Sequence, residues 1–162
     1  MTIKFRNLKE EEIEVRIQSV KPNGIILLLY KDARCDMGIL DETVGAMSWQ
    51  RKHLRDNKNC IVSIFDDDKK MWIEKEDTGT ESNTEQAKGL ASDSFKRACF
   101  NWGIGRELYT SPSIWVNAEF INITNGKCYD KFAVEKIITT NGRIEKISII
   151  NLKTKQRVFV KK

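Results

Sequence analysis

Between residues 84 and 106 the chain gathers the side chains best suited to holding a polyanion. At about 100° per residue, Ala87, Leu90, Ala91, Ser94, Phe95, Ala98 and Trp102 fall on one broad apolar face. Lys88, Ser92 and Lys96 climb the other side at four-residue spacing, with Gly89 beside them and Arg97 next around the helix. Adjacent cations above small residues leave room for a phosphodiester backbone, whose binding is driven by release of its counterions. The same spacing also describes an ordinary amphipathic helix with a basic exposed face, and periodicity alone leaves both readings open.

Other chemistries find less support. Cys35, Cys60, Cys99 and Cys128 are far apart, no CxxC occurs, and His53 is the only histidine. Zinc sites cluster their Cys and His ligands, so reduced buried thiols are expected instead. His53 lies in the polar stretch 50–59, which reads as a strand end and turn. The run Asp66-Asp67-Asp68 sits in a charged hairpin tip and reads as a solvated turn rather than a nuclease metal site. No GxxxxGK[ST] loop is present, and Gly103-Ile104-Gly105 follows a helix where a nucleotide fold needs a strand. A GxSxG elbow is also missing, and a hydrolase triad would have to recruit His53 from its polar turn. The sequence therefore predicts neither an enzyme, a metal nor a cofactor.

The elements that must position the cations can be read from turn residues and periodicity. Leu8 to Val20 fits both a strand alternation (Ile13, Val15, Ile17) and a helix side (Leu8, Ile13, Ile17, Val20). The acids Glu10-Glu11-Glu12 favour a helix N-terminus, so a helix is expected there. Pro22-Asn23-Gly24 is a turn, followed by a strand at 25–30. Asp32 to Gly45 predicts a short helix capped by Asp32 and ended by Gly45. Residues 60–65 and 71–76 predict a strand pair, and Thr84 is expected to cap the longest helix, running to about Trp102. Beyond it, residues 115–123, 128–138, 144–150 and 156–160 predict strands, with Asn125-Gly126 and Asn141-Gly142 as hairpin turns. The predicted fold is α+β, an antiparallel sheet with a long helix packed across it and further β-hairpins toward the C-terminus. Residues 1–115 are expected to form the core, and residues 116–162 a basic β-rich extension of the same domain.

Three blocks, taken in order, resemble the Rad fifty-two family of single-strand DNA annealing proteins, in particular its small phage-encoded members. They are Tyr30-Lys31-Asp32-Ala33-Arg34 through Leu40-Asp41-Glu42-Thr43-Val44-Gly45 to Trp49, the strands ending in Asp77-Thr78-Gly79, and Ala91-Ser92-Asp93-Ser94-Phe95-Lys96-Arg97-Ala98 followed by Trp102-Gly103-Ile104-Gly105. The resemblance covers roughly residues 10 to 115. It implies a β-β-β-α core, assembly of copies into a ring or filament, and a groove holding single-stranded DNA by its backbone with the bases outward. By matching position it implies that Lys96 and Arg97 are central phosphate contacts, with Lys88 and Arg34 as further basic groove positions. It also implies a role in recombination and repair without ATP, with a complementary strand as the second partner and an exonuclease or a host single-strand-binding protein as possible associates. Trp49, Trp72, Trp102 and Trp115 are candidates for base stacking. Trp102 falls on the apolar face, whereas Trp72 alternates with Met71 and Ile73 and is left open.

The net charge of +5 does not itself argue for DNA, because residues 143–162 hold seven Lys or Arg against Glu145 alone, a net +6, and residues 1–142 carry −1. No run is long and apolar enough for a membrane span, and the first residues lack the apolar stretch of a signal peptide, so a cytoplasmic address is expected. Two alternatives to annealing remain: a coating protein that hinders pairing, and an interaction module using the C-terminal strands.

Overall fold

A computed structural model describes residues 2–80 and 86–162, the side chains of residues 86–88 excepted. Along the chain run β1 (Glu14–Lys21), β2 (Gly24–Tyr30), α1 (Ala33–Val44), β3 (Trp49–Leu54), β4 (Asn59–Asp66), β5 (Met71–Thr78), α2 (Gln86–Trp102), β6 (Ile114–Asn117), β7 (Ile123–Thr124), β8 (Lys127–Cys128), β9 (Phe132–Thr140), β10 (Arg143–Asn151) and β11 (Arg157–Lys161). The class is α+β and every strand pair is antiparallel. No helix among the described residues is long and apolar enough to cross a membrane.

The chain divides into two compact units, Met1–Arg6 with Asp32–Gly105, and Asn7–Lys31 with Arg106–Lys162. This differs from a single boundary at residue 115. The reason is pairing: β2 bonds to β6 and β1 to β9, so the N-terminal hairpin belongs with the C-terminal strands.

The first unit carries the β-β-β-α order. Its sheet runs β3-β4-β5, and α2 packs on β4 and β5. Cys60, Val62 and Ile64 of β4 and Leu90, Phe95, Ala98 and Cys99 of α2 are buried, as are Ile39 and Leu40 of α1. Burying one large apolar side chain of this kind contributes about 1.5–3 kcal/mol relative to exposure, which holds the helix on the sheet. The short helix starts and stops as its sequence requires. Asp32 accepts the Cys35 N–H at 2.8 Å, and Gly45, at φ +91°, ends it in a conformation that costs other residues strain. The cap expected at Thr84 lies outside the described residues.

In the second unit the strand order is β11-β10-β9-β1-β2-β6, with β7-β8 as a separate hairpin. Asn125-Gly126 and Asn141-Gly142 both take positive φ and close the β7-β8 and β9-β10 hairpins. The helix expected over Leu8 to Val20 is instead a 3-10 turn at Glu10–Glu12 followed by β1. The alternation won because Val15 and Ile17 find partners on β2, whereas the acids are used locally and at long range. Glu12 accepts the Lys9 N–H at 2.9 Å, and Glu10 accepts the Ile137 N–H at 3.2 Å. The single strand expected over 115–123 is broken after β6 by a 3-10 turn at Ala118–Phe120.

Candidate nucleic-acid interface

The register of the three-stranded sheet decides which side chains meet α2. Trp49, Arg51 and His53 of β3 align with Ile64, Val62 and Cys60 of β4, and these with Ile73, Lys75 and Asp77 of β5. Side chains alternate between faces, and contacts identify this face as the one under α2. The Arg51 guanidinium lies 4.6 Å from the Phe95 ring centroid, and the Trp49 and Phe95 rings are 6.0 Å apart. At the other end of the helix, Lys75 Nζ lies 5.0 Å from the Trp102 ring, whose Nε1 donates to the Val62 carbonyl at 2.9 Å.

Ser94 is fully buried where the helix meets the turn after β3. Arg55, Asp56 and Asn57 of that turn are three successive non-glycine residues in the left-handed region. Such residues persist where surrounding contacts hold them, and here Ser94 Oγ donates to the Asn57 carbonyl at 2.9 Å. His53 Nδ1 lies 3.4 Å from the same hydroxyl. Burial, assisted by the nearby Arg51 charge, pushes the His53 pKa below its ordinary value.

The connection leaving β5 is pressed onto the same helix. A Cβ on Gly79 would sit 2.8 Å from the Ser94 backbone nitrogen, a separation that only glycine avoids without moving the helix. Thr80 then donates its N–H to Asp93 Oδ2 at 2.7 Å, and Arg97 Nε donates to the same oxygen at 2.9 Å. Burial opposes charge on Asp93. The Thr80 and Arg97 hydrogen bonds and the charges of Arg97 and Lys96 outweigh it, and the carboxyl is held below the usual carboxylate range.

The four residues matched to a DNA groove are therefore placed as follows. Lys96 and Arg97 come together at Asp93, both half-buried, with the Arg97 side chain 37% exposed. That is less open than the solvent face expected of them. Arg34 is exposed on the first turn of α1, a separate helix. The Lys88 side chain lies outside the described residues. Arg51 is not among the positions that the sequence predicts, because it falls in a stretch that reads as a strand end and turn. Its signal was the period-two series Trp49, Arg51, His53, which puts a cation on the helix-facing side of an edge strand.

The tryptophans separate by their hydrogen bonds. Trp49 Nε1 donates to Asp41 at 2.7 Å, Trp115 Nε1 to Asn117 at 2.8 Å, and Trp102 to Val62, so three indoles are tied into the framework. Trp72 is 37% exposed and lies edge-on to Phe65 at 5.5 Å. It alternates with Ile73 and Lys75, so its ring is on the sheet face away from α2 and cannot stack bases beside Lys96 and Arg97. Among the remaining candidates, Asp66 Oδ1 accepts the Asp68 N–H at 2.9 Å and closes the β4-β5 turn, and none of the four cysteines is in a disulfide. Set against family models, curated proteins and solved structures, the chain matches none of them, so the character of this surface rests on its own residues.

Proposed function

We propose that the chain binds single-stranded DNA by its phosphates along the α2 side of the first unit and promotes pairing with a complementary strand, without nucleotide or metal, in recombinational repair in the cytoplasm of a bacterial host. The observation that carries the reading is a helix packed on a β-β-β sheet that holds Arg97 against Asp93 beside Lys96, with Arg51 of the edge strand over Phe95 of the same helix. Complementary strands repel each other, and neutralising phosphates lowers that barrier. Contacts to backbone rather than base edges carry no sequence preference and leave the edges available for pairing. Each subunit supplies few cations, so useful affinity requires several copies side by side on one strand, where effective concentration multiplies weak contacts.

The experiment is annealing of two complementary oligonucleotides, one carrying a fluorophore and the other a quencher, in EDTA and without nucleotide. Accelerated quenching supports annealing. Retarded quenching with tight binding makes the protein a coating factor, and absence of binding to long single strands removes the reading altogether.

A further inference from the structure

The outer face of β9-β10-β11 carries a feature that the DNA reading of α2 does not use. Lys136, Ser148 and Val160 lie in one cross-strand row, with Ile138 and Lys146 paired in the next. Ser148 is small and 8% exposed, so it forms the low point of a groove of about 290 Å³ between its taller neighbours. Ile138 and Val160 rise beside it, 49% and 44% exposed. Lys136, Lys146, Arg157 and Lys162, all exposed, line the same groove. Glu135 sits among them, accepting from Ser148 Oγ at 2.9 Å and from Arg157 Nε at 2.8 Å.

Exposed apolar side chains within a charged rim are the composition of a protein-binding patch. The sign of the rim selects an acidic partner. A nucleic acid fits less well. Its bases gain affinity by stacking on aromatic rings, and no aromatic ring lines the groove, whose apolar side chains are Ile and Val. We propose that this groove docks an extended acidic peptide, seating one apolar side chain on Ile138 and Val160 between carboxylates that meet Lys136, Lys146 and Lys162. This is independent of what α2 binds.

The test is fluorescence anisotropy on the full chain with three probes: a fluorescein-labelled peptide Asp-Glu-Asp-Leu-Leu-Asp-Glu-Asp, the same peptide with both Leu replaced by Ser, and a labelled oligothymidine strand. The Leu peptide is expected to bind saturably, and the Ser peptide to bind at least about tenfold more weakly, the factor corresponding to about 1.4 kcal/mol of lost contact. Ile138→Ser with Val160→Ser should weaken the Leu peptide by a similar factor, and Lys146→Glu with Lys162→Glu should weaken both peptides. These side chains are exposed, so the fold should persist, and the comparison between peptides needs no variant. Lack of saturable binding by the Leu peptide, or equal affinity for the Ser peptide, overturns the proposal. So does displacement of the peptide by oligothymidine that persists in Lys96→Ala with Arg97→Ala, which would mark the groove as a nucleic-acid surface.

Discussion

Arg97 reaches back one turn along α2 to Asp93, and the oxygen it meets, Oδ2, is the one that accepts the Thr80 N–H. One carboxylate oxygen thus orients the guanidinium through its Nε edge and anchors the connection that follows β5. Lys96 adds its charge to the same carboxyl. A phosphate approaching this corner meets a cation that is already oriented, but whose charge is partly cancelled by Asp93.

Replacing the pair, Lys96→Ala with Arg97→Ala, should flatten the dependence of log affinity on log salt by about 1.4, at roughly 0.7 per phosphate contact on a single strand. Annealing should fall with it. The cost in stability should be small, because a partly exposed ion pair is worth about 0.2–1 kcal/mol, and urea unfolding will show it. Lys153→Ala with Lys155→Ala is the control for general attraction by the basic C-terminal segment. If that pair abolishes binding while the helix pair changes neither affinity nor slope, the α2 assignment is wrong.

Asp93→Asn separates the two duties of the carboxylate. An Asn can still accept from Thr80, but no longer cancels the Arg97 charge, so affinity for a single strand should rise severalfold. Stability supplies a second readout. The folded carboxyl sits below its ordinary value, so its contribution is fully present above the unfolded pKa, about 3.9, and is lost as pH falls through the folded pKa. Below about pH 4 the urea midpoint of the parent should therefore drop more steeply than that of Asp93→Asn. Parallel curves would show that the carboxyl is not held charged by these contacts.

His53 titrates in the opposite chemical sense but with the same slope. Burial lowers its pKa, so between the folded value and about 6.5 the unfolded chain binds the proton and the folded chain does not. Stability is full above about pH 6.5 and declines as pH falls below it. His53→Gln should remove that part of the slope, measured as urea midpoints from pH 8 to pH 5.5. An unchanged slope would place the acid sensitivity elsewhere.

The thiols should divide in two. Cys60 and Cys99 are fully buried, and burial is the main cause pushing the Cys60 pKa up to about 11. Cys35 and Cys128 are half-buried. Thiolate is the reactive form, so a colorimetric thiol reagent at pH 8 should titrate Cys35 and Cys128 in the native protein, and Cys60 and Cys99 only after denaturation. Four equally fast thiols would contradict the packing of α2 on β4.

What could be read from the sequence was local. Asp32 and Gly45 bound α1 through contacts within a few residues, and the two Asn-Gly pairs carry their own turn geometry, so both features were legible. The segment that became β1 was not, because Ile13 and Ile17 satisfy both periods, and the bond from Ile137 to Glu10 spans most of the chain. At the candidate site, the face of α2 was legible from its spacing, although buried Cys99 extends it. The position of Arg51 over Phe95 was not, since only strand register places a residue of one element over a residue of another. The pairing of Asp93 with Arg97 follows from four-residue spacing, but its second partner, Thr80, arrives from a loop.

The route by which β1 and β2 find their sheet bears on how the chain folds as it is synthesised. Val15 pairs with Phe132 and Ile25 with Val116, so this hairpin emerges from the ribosome long before its neighbours exist. The β3-β4-β5 sheet and α2 are complete by Trp102 and can close meanwhile through contacts near in sequence. The earlier hairpin must wait with apolar strand edges unpaired, the condition in which long-range β pairing is slow and nascent chains aggregate. Synthesis that stalls between Gly105 and Phe132 would leave one unit folded and the other a sticky, half-built ribbon, which makes translation pace in that interval a determinant of yield.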